Sequence, residues 1–312
     1  MWALFEPGRS AVIPNIAGES ELMVANTLSS TTWSFNFAMG FAVGGVLAAY
    51  FGRDAVFVLN SLSFVGSALL IRRMKFTEPH AENRPPLKAR DLADFSPIQE
   101  GIRYVWRDPR LRTTIFVKAG LGLMGANWVL LPIFGERIFP IHRAGFNQQQ
   151  AGMLGMSLLM ACRGIGAIVG PVVSGYWAAG IEKRMRLGIL IGYLAGAVGY
   201  LMLGNAPGLA VACAGIILGH AGGSTLWVFS STLLQLQTED RFRGRVFSAE
   251  WALSVVTMSL SSYGAGVLID RNVPAATVAS VTGLVVLIPA ALWSFALVAL
   301  PAGREPVPRP PR

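Results

Sequence analysis

The chain has 312 residues, 53% of them hydrophobic and only 14% charged, with a mean hydropathy of +0.51. Soluble domains carry about 25% charged residues, so a water-soluble globule is excluded. The formal net charge of +9 does not mark a nucleic-acid surface, because the basic residues sit in short segments between apolar runs, where they act as topology determinants.

From the N-terminus, Met1-Trp2-Ala3-Leu4-Phe5 has no basic start and Pro7-Gly8 interrupts it at once, so it does not read as a signal peptide. Apolar runs follow at about 22–51, 54–71, 113–135, 150–179, 187–204, 208–236, 246–269 and 275–300. Stretch 187–238 is the plainest, with 52 residues lacking any Asp, Glu, Lys or Arg and a turn at Asn205-Ala206-Pro207-Gly208. A crossing needs about 20 apolar residues, and only helices and closed barrels satisfy their backbone in lipid. The expected fold is an all-α membrane protein with eight transmembrane helices. A short outer turn at Gly52-Arg53-Asp54 is expected to separate the first two.

Alternate loops differ in charge. One set, which includes the ends of the chain, holds twenty Lys and Arg, ten of them between Arg72 and Arg112. The other holds four: Arg53, Arg137, Arg143 and Arg271. Cytoplasmic loops carry the basic excess, so both termini are expected inside a multi-pass (inner) membrane protein. Within loop 73–112, Ser96-Pro97-Ile98-Gln99 reads as a capping box with proline at the first helical position. Ile98, Ile102 and Val105 then share a face, so an amphipathic helix is expected, as a linker or as a partner-binding element. The Pro/Arg-rich tail 301–312 is expected to be disordered.

Gly45-Val46-Leu47 and Gly266-Val267-Leu268 stand 221 residues apart, each in a span rising from the cytoplasm and followed by a short outer turn. Spans one and two therefore read as a copy of spans seven and eight. Spans three to eight form a six-helix unit, and about four helices of an equivalent first unit are not accounted for.

Three groups of segments carry a resemblance: Phe5-Glu6-Pro7-Gly8-Arg9 with Ile13-Pro14 and Ala25-Asn26-Thr27-Leu28; Glu100-Gly101-Ile102-Arg103-Tyr104-Val105 with Asp108-Pro109-Arg110-Leu111-Arg112; and Leu236-Gln237 through Arg243-Gly244-Arg245-Val246. In these the chain resembles the major facilitator superfamily, in its enterobactin-exporter-like (transmembrane secretion effector) branch. The resemblance covers nearly the whole chain, as the fifth to twelfth helices of a twelve-helix transporter. It departs at Gly40-Phe41-Ala42-Val43-Gly44-Gly45, which lacks the proline of the exporters' glycine motif, and in the loop after span four, where Ala179 or Gly180 stands in place of the usual acidic residue. The implied organisation is 1–72 as the remnant of an N-terminal lobe, 73–112 as the inter-lobe loop, 113–300 as a six-helix C-terminal lobe and 301–312 as the tail.

Arg163 stands about midway through 150–179, where a centred arginine costs about 2.5–3.5 kcal/mol on insertion scales. It is expected either to meet an anionic substrate group or switching ion pair, or to clamp helix-end carbonyls. Glu250, the carboxylate set well inside an apolar run, is expected to pair with Arg243 or Arg245; the alternative is a proton carrier or gate. Lys118, near the cytoplasmic end of its span, is expected to snorkel. His220 is expected to be a hydrogen-bonded packing residue, with proton relay as the alternative. Asn127 and Trp128 either contact substrate or fill a helix interface. Cys162 and Cys213 read as buried apolar residues, and the glycines at 188, 192, 196, 215, 219 and 223 as close-packing positions.

No Walker A, HExxH, GxSxG or Cys/His cluster is present, so an enzyme, a cofactor and a metal site are not expected. The expected function is a secondary active exporter of small or amphipathic molecules, siderophore- or drug-like, coupled to protons and working by alternating access. Its expected partners are the lipid bilayer, a small-molecule substrate and protons, with no nucleic acid. The alternative is a truncated, non-transporting remnant, or one chain of a split transporter whose N-terminal half another chain supplies.

Overall fold

The computed structural model describes residues 2–73, 96–142, 144–145 and 147–300. Among them every regular element is helical: α1 Trp2–Ile16, α2 Leu22–Arg73, α3 Ser96–Arg107, α4 Pro109–Ile115, α5 Val117–Gly122, α6 Asn127–Ile133, α7 Gln148–Ala178, α8 Glu182–Gly204, α9 Leu209–Gln237, α10 Asp240–Asp270 and α11 Ala275–Ala299. Seven segments of the described residues are long and apolar enough to cross a membrane: Asp54–Arg73, Pro109–Ile138, Ala151–Ala178, Glu182–Gly204, Leu209–Gln237, Asp240–Asp270 and Ala275–Ala299. The all-α membrane fold read from composition is the fold observed.

Residues 2–16, for which no element was expected, form a helix, although Pro7 and Pro14 lie inside it. One expectation at this end is corrected: no turn separates the first two expected crossings, and the backbone stays helical through Gly52-Arg53-Asp54. At 1.5 Å per residue this 52-residue helix is about 78 Å long, more than twice a hydrocarbon core of about 30 Å. No proline stops it between Leu22 and Arg73, and a glycine in a helix costs only about 1 kcal/mol. Nothing described packs on its second half either, since the crossing window in Asp54–Arg73 has no buried residue.

Pro109–Ile138 is one compound crossing in which α4 and α5 meet at Phe116, α5 and α6 are joined through a 3₁₀ turn at Leu123–Ala126, and a π turn follows at Phe134–Ile138. In lipid the groups released by such breaks must be satisfied from neighbouring helices. Here α10 supplies them: Ser261 Oγ donates to Leu123 O (2.7 Å) and accepts from Ala126 N (3.1 Å), while Ser262 Oγ donates to Gly125 O (2.7 Å). From α8, Tyr193 and Tyr200 donate to Val117 O (2.7 Å) and Met124 O (3.2 Å). Gly125 allows this approach, because a Cβ there would lie 2.5 Å from Met258 O.

α8 packs between α9 and α11, and α7 lies against α9. The expected tight turn holds, with α8 ending at Gly204 and α9 starting at Leu209. The expected close packing of α8 on α9 is seen at Gly192, where an added Cβ would lie only 2.7 Å from Gly222 O. The expected amphipathic helix is α3, which docks on the start of α10: the Tyr104 and Phe242 rings stack at 4.1 Å, and Arg245 pairs with Glu100 at 2.9 Å. Residues 74–95 and the tail 301–312 lie outside the described residues.

Candidate functional site

Helices α1 and α2 lean on α7, α9 and α10 and enclose a cavity of about 300 Å³ against them. One wall is α1 and α2, through Glu6, Arg9, Trp33 and Phe37; the facing wall brings Trp128, Arg163, His220, Trp227 and Trp251. A buried polar clasp, two of whose members line the cavity, ties the walls together. Asn26 on α2 donates to Gln235 Oε1 on α9, and Gln235 Nε2 donates to Ser10 O on α1 at 2.9 Å. Arg243 on α10 also reaches Asn15 Oδ1 at 3.1 Å.

Four of the six residues singled out by sequence line this cavity: Asn127, Trp128, Arg163 and His220. Arg163 is not clamped to helix-end carbonyls. Its guanidinium carbon lies 4.6 Å from the centre of the Trp128 ring and 4.9 Å from that of Phe37. Among the described residues it has no carboxylate partner, and its Nε is buried without a hydrogen bond. Desolvated cation–π contacts return about 2 kcal/mol against the about 2.5–3.5 kcal/mol that a mid-membrane arginine costs. The cation is held, and no described residue neutralises it.

His220 departs from its expected role as a hydrogen-bonded packing residue, because its Nε2 is buried with no partner among the described residues. Asn127 Nδ2 donates to Met124 O at 2.8 Å, capping the 3₁₀ turn at the cavity wall.

Lys118 and Glu250 form the largest correction. Lys118 does not snorkel: its Nζ lies 3.0 Å from Glu250 Oε2, and the side chains are 2% and 1% exposed. Nor does Glu250 pair with Arg243 or Arg245, which bind Asp240 and Glu100 instead. The broken crossing turns Lys118 inward, towards α9 and α10. There its ammonium also donates to Ser231 Oγ at 2.8 Å and sits 4.2 Å from the Trp227 ring centre. Ser231 and Trp227 line the cavity, so the ion pair lies one side chain behind its wall. Glu250 Oε1 is buried with no partner among the described residues.

Sequence reasoning missed the α1 and α2 wall. Glu6 and Arg9 pair at 2.7 Å across one helical turn, and Trp33 stacks on Phe37 at 5.2 Å. The Phe5-Glu6-Pro7-Gly8-Arg9 segment gave a signal for the first pair. Nothing local separates Trp33 and Phe37 from lipid-facing aromatics.

The sequence model of the Major Facilitator Superfamily matches residues 1–261. The chain belongs to the Major Facilitator Superfamily. Within this superfamily it is 26% identical to YfiS, an uncharacterized MFS-type transporter of Bacillus subtilis strain 168, over 86% of this chain and 62% of that protein. It is also 26% identical to the multidrug efflux pump Tap of Mycolicibacterium fortuitum, over 97% of this chain and 71% of Tap. The chain thus spans less than two thirds of the length of YfiS. The superfamily fold recurs in the fucose:proton symporter FucP of E. coli, with a TM-score of 0.65 at 16% identity over 93% of this chain and 72% of FucP. A bacterial homologue of the iron transporter ferroportin, in its outward-facing state, gives 0.62 at 16% identity over 91% of this chain and 67% of that one.

Proposed function

We propose that the chain acts in secondary active export, moving small or amphipathic molecules outward through the cavity between α1/α2 and the helices from α4 to α11. The observation that carries this reading is the cavity itself, which is walled by both groups of helices and holds Arg163 with no carboxylate partner among the described residues. Sites between two helix groups near the bilayer midplane are where rocking motions expose substrate to each side in turn. The likeness to an efflux pump supports export, as does the resemblance of the three sequence segments to the enterobactin-exporter-like branch. The excess of basic residues in alternate loops supports an inner-membrane protein with both termini in the cytoplasm.

Glu250 is the proton carrier in this reading. Its unpartnered Oε1 is where a proton would add, and adding it removes the charge that holds Lys118. Breaking a buried pair on one side costs about 3–5 kcal/mol, enough to favour another arrangement of α5 and α10. Proteoliposomes carrying the chain should export a fluorescent amphipathic dye only under an imposed proton gradient. Gradient-independent or absent export counts against the proposal.

One observation favours a second reading, in which further helices complete the first lobe. The second half of α2 carries exposed Phe57, Leu62, Phe64, Val65 and Leu70, an apolar surface unpaired among the described residues. A split transporter, with those helices on another chain, or a non-transporting remnant in lipid both fit that surface. Reconstitution of the purified chain alone separates them from a self-sufficient exporter.

A further inference from the structure

We infer that the cavity is built for a compact aromatic molecule carrying one negative charge, its ring among the wall aromatics and its anionic group on Arg163. This deepens the export proposal and rests on reading the cavity as the substrate site.

Charge is the first ground. Among the described residues three ionised side chains line the cavity: Glu6, Arg9 and Arg163. Glu6 and Arg9 cancel in a 2.7 Å pair, and behind the wall Lys118 and Glu250 cancel in another at 3.0 Å. Arg163 is what remains, and a cavity with one surplus buried positive charge favours an anion and repels a cation. Its Nε carries a hydrogen with no acceptor among the described residues, and guanidinium groups bind carboxylates through paired, directional hydrogen bonds.

Shape is the second ground. Trp33 stacks on Phe37, Phe37 meets Trp128 edge-on at 6.3 Å, and Trp227 meets Trp251 edge-on at 5.6 Å. Flat rings thus flank the charged group on both walls and suit a planar apolar body. The volume of about 300 Å³ lies at the lower end of ligand sites and selects a compact one. The other polar lining, including Ser34, Ser224 and His220, offers hydrogen bonds without a second fixed charge.

Calorimetric titration of the purified full chain in detergent, with 1-naphthoate and its uncharged near-isostere 1-naphthamide, tests this. Naphthoate should bind about tenfold or more tighter, and acetate, an anion without a ring, should bind far more weakly than either. Arg163→Gln should erase the preference, and a retained helical circular-dichroism spectrum with a cooperative melt shows that the variant is folded. Arg163→Lys should retain part of the preference. Equal affinities in the unmodified chain, a preference that survives Arg163→Gln, acetate binding as well as naphthoate, or no binding of either naphthalene would each overturn the inference. Binding in detergent needs no gradient. Failure of export with this preference intact removes the transport proposal alone, and export without the preference removes this inference alone.

Discussion

Lys118 Nζ stands 3.0 Å from Glu250 Oε2 although 132 residues separate them, and neither side chain meets solvent. An ion pair buried this deeply is a poor source of net stability, because desolvation consumes most of its attraction. What it does strongly is penalise the loss of one partner. Lys118→Met should therefore destabilise the protein by about 3–5 kcal/mol, and adding Glu250→Leu should restore most of it. Thermal unfolding of the two single variants and the double variant in detergent measures the coupling; additive effects would show that the pair is not formed.

Glu250 also carries the sharpest pH prediction. With glutamine there, no proton can be gained or lost, so export by Glu250→Gln should no longer vary with pH across the range where the unmodified chain's export does. Initial rates in proteoliposomes at a series of internal pH values provide the check. A retained pH profile assigns the proton to another group.

Close approach of the compound crossing to α10 predicts a contrast between glycines. A Cβ at Gly125 would lie 2.5 Å from Met258 O, whereas one at Gly264 meets nothing within 4 Å. Gly125→Ala should cost about 1–3 kcal/mol through forced separation of the backbones. Gly264→Ala should be neutral or stabilising by up to about 1 kcal/mol. Yield and melting temperature of the detergent-solubilised variants distinguish the two.

Much of this could be read from sequence, and the rest failed for identifiable reasons. Crossing lengths and turns such as Asn205-Ala206-Pro207-Gly208 are local properties, so most helices fall where the apolar runs place them. Arg163 and His220 stood out because ionisable residues in mid-span need a reason to be there. The Lys118–Glu250 pair was hidden because Glu250 had nearer candidates in Arg243 and Arg245 and Lys118 lay close enough to the cytoplasmic end to snorkel, and only tertiary packing chose otherwise. Pro7 and Pro14 masked α1, since prolines ordinarily end helices. Gly52-Arg53-Asp54 suggested a turn that needs neighbouring helices to fold the second half of α2 back, and none of the described residues does so.

Helix α3 should be held to α10 mainly by one aromatic contact. Tyr104 stacks on Phe242 at 4.1 Å and its hydroxyl accepts from Glu239 N at 2.9 Å. Tyr104→Ala should weaken the docking by about 1–3 kcal/mol, combining an aromatic pair with a hydrogen bond. Limited proteolysis near 96–107 should then speed up, while cleavage elsewhere stays as it was.

Topology gives a direct prediction. Reporter fusions after Arg186 and Gly303 should report cytoplasm, and a fusion after Arg271 the exterior, because basic loops stay inside. The inverted pattern would reverse the direction of transport proposed above.

Under the proposed function one cavity opens in turn to each side of the membrane. Ser224 lines it from α9, and Cys162 and Cys213 are the two native cysteines. Ser224→Cys placed in a Cys162→Ala, Cys213→Ala background can be labelled with a membrane-impermeant maleimide in intact cells and, separately, in inverted vesicles. Labelling from both sides is expected. Labelling from one side only, under every gradient applied, would contradict it.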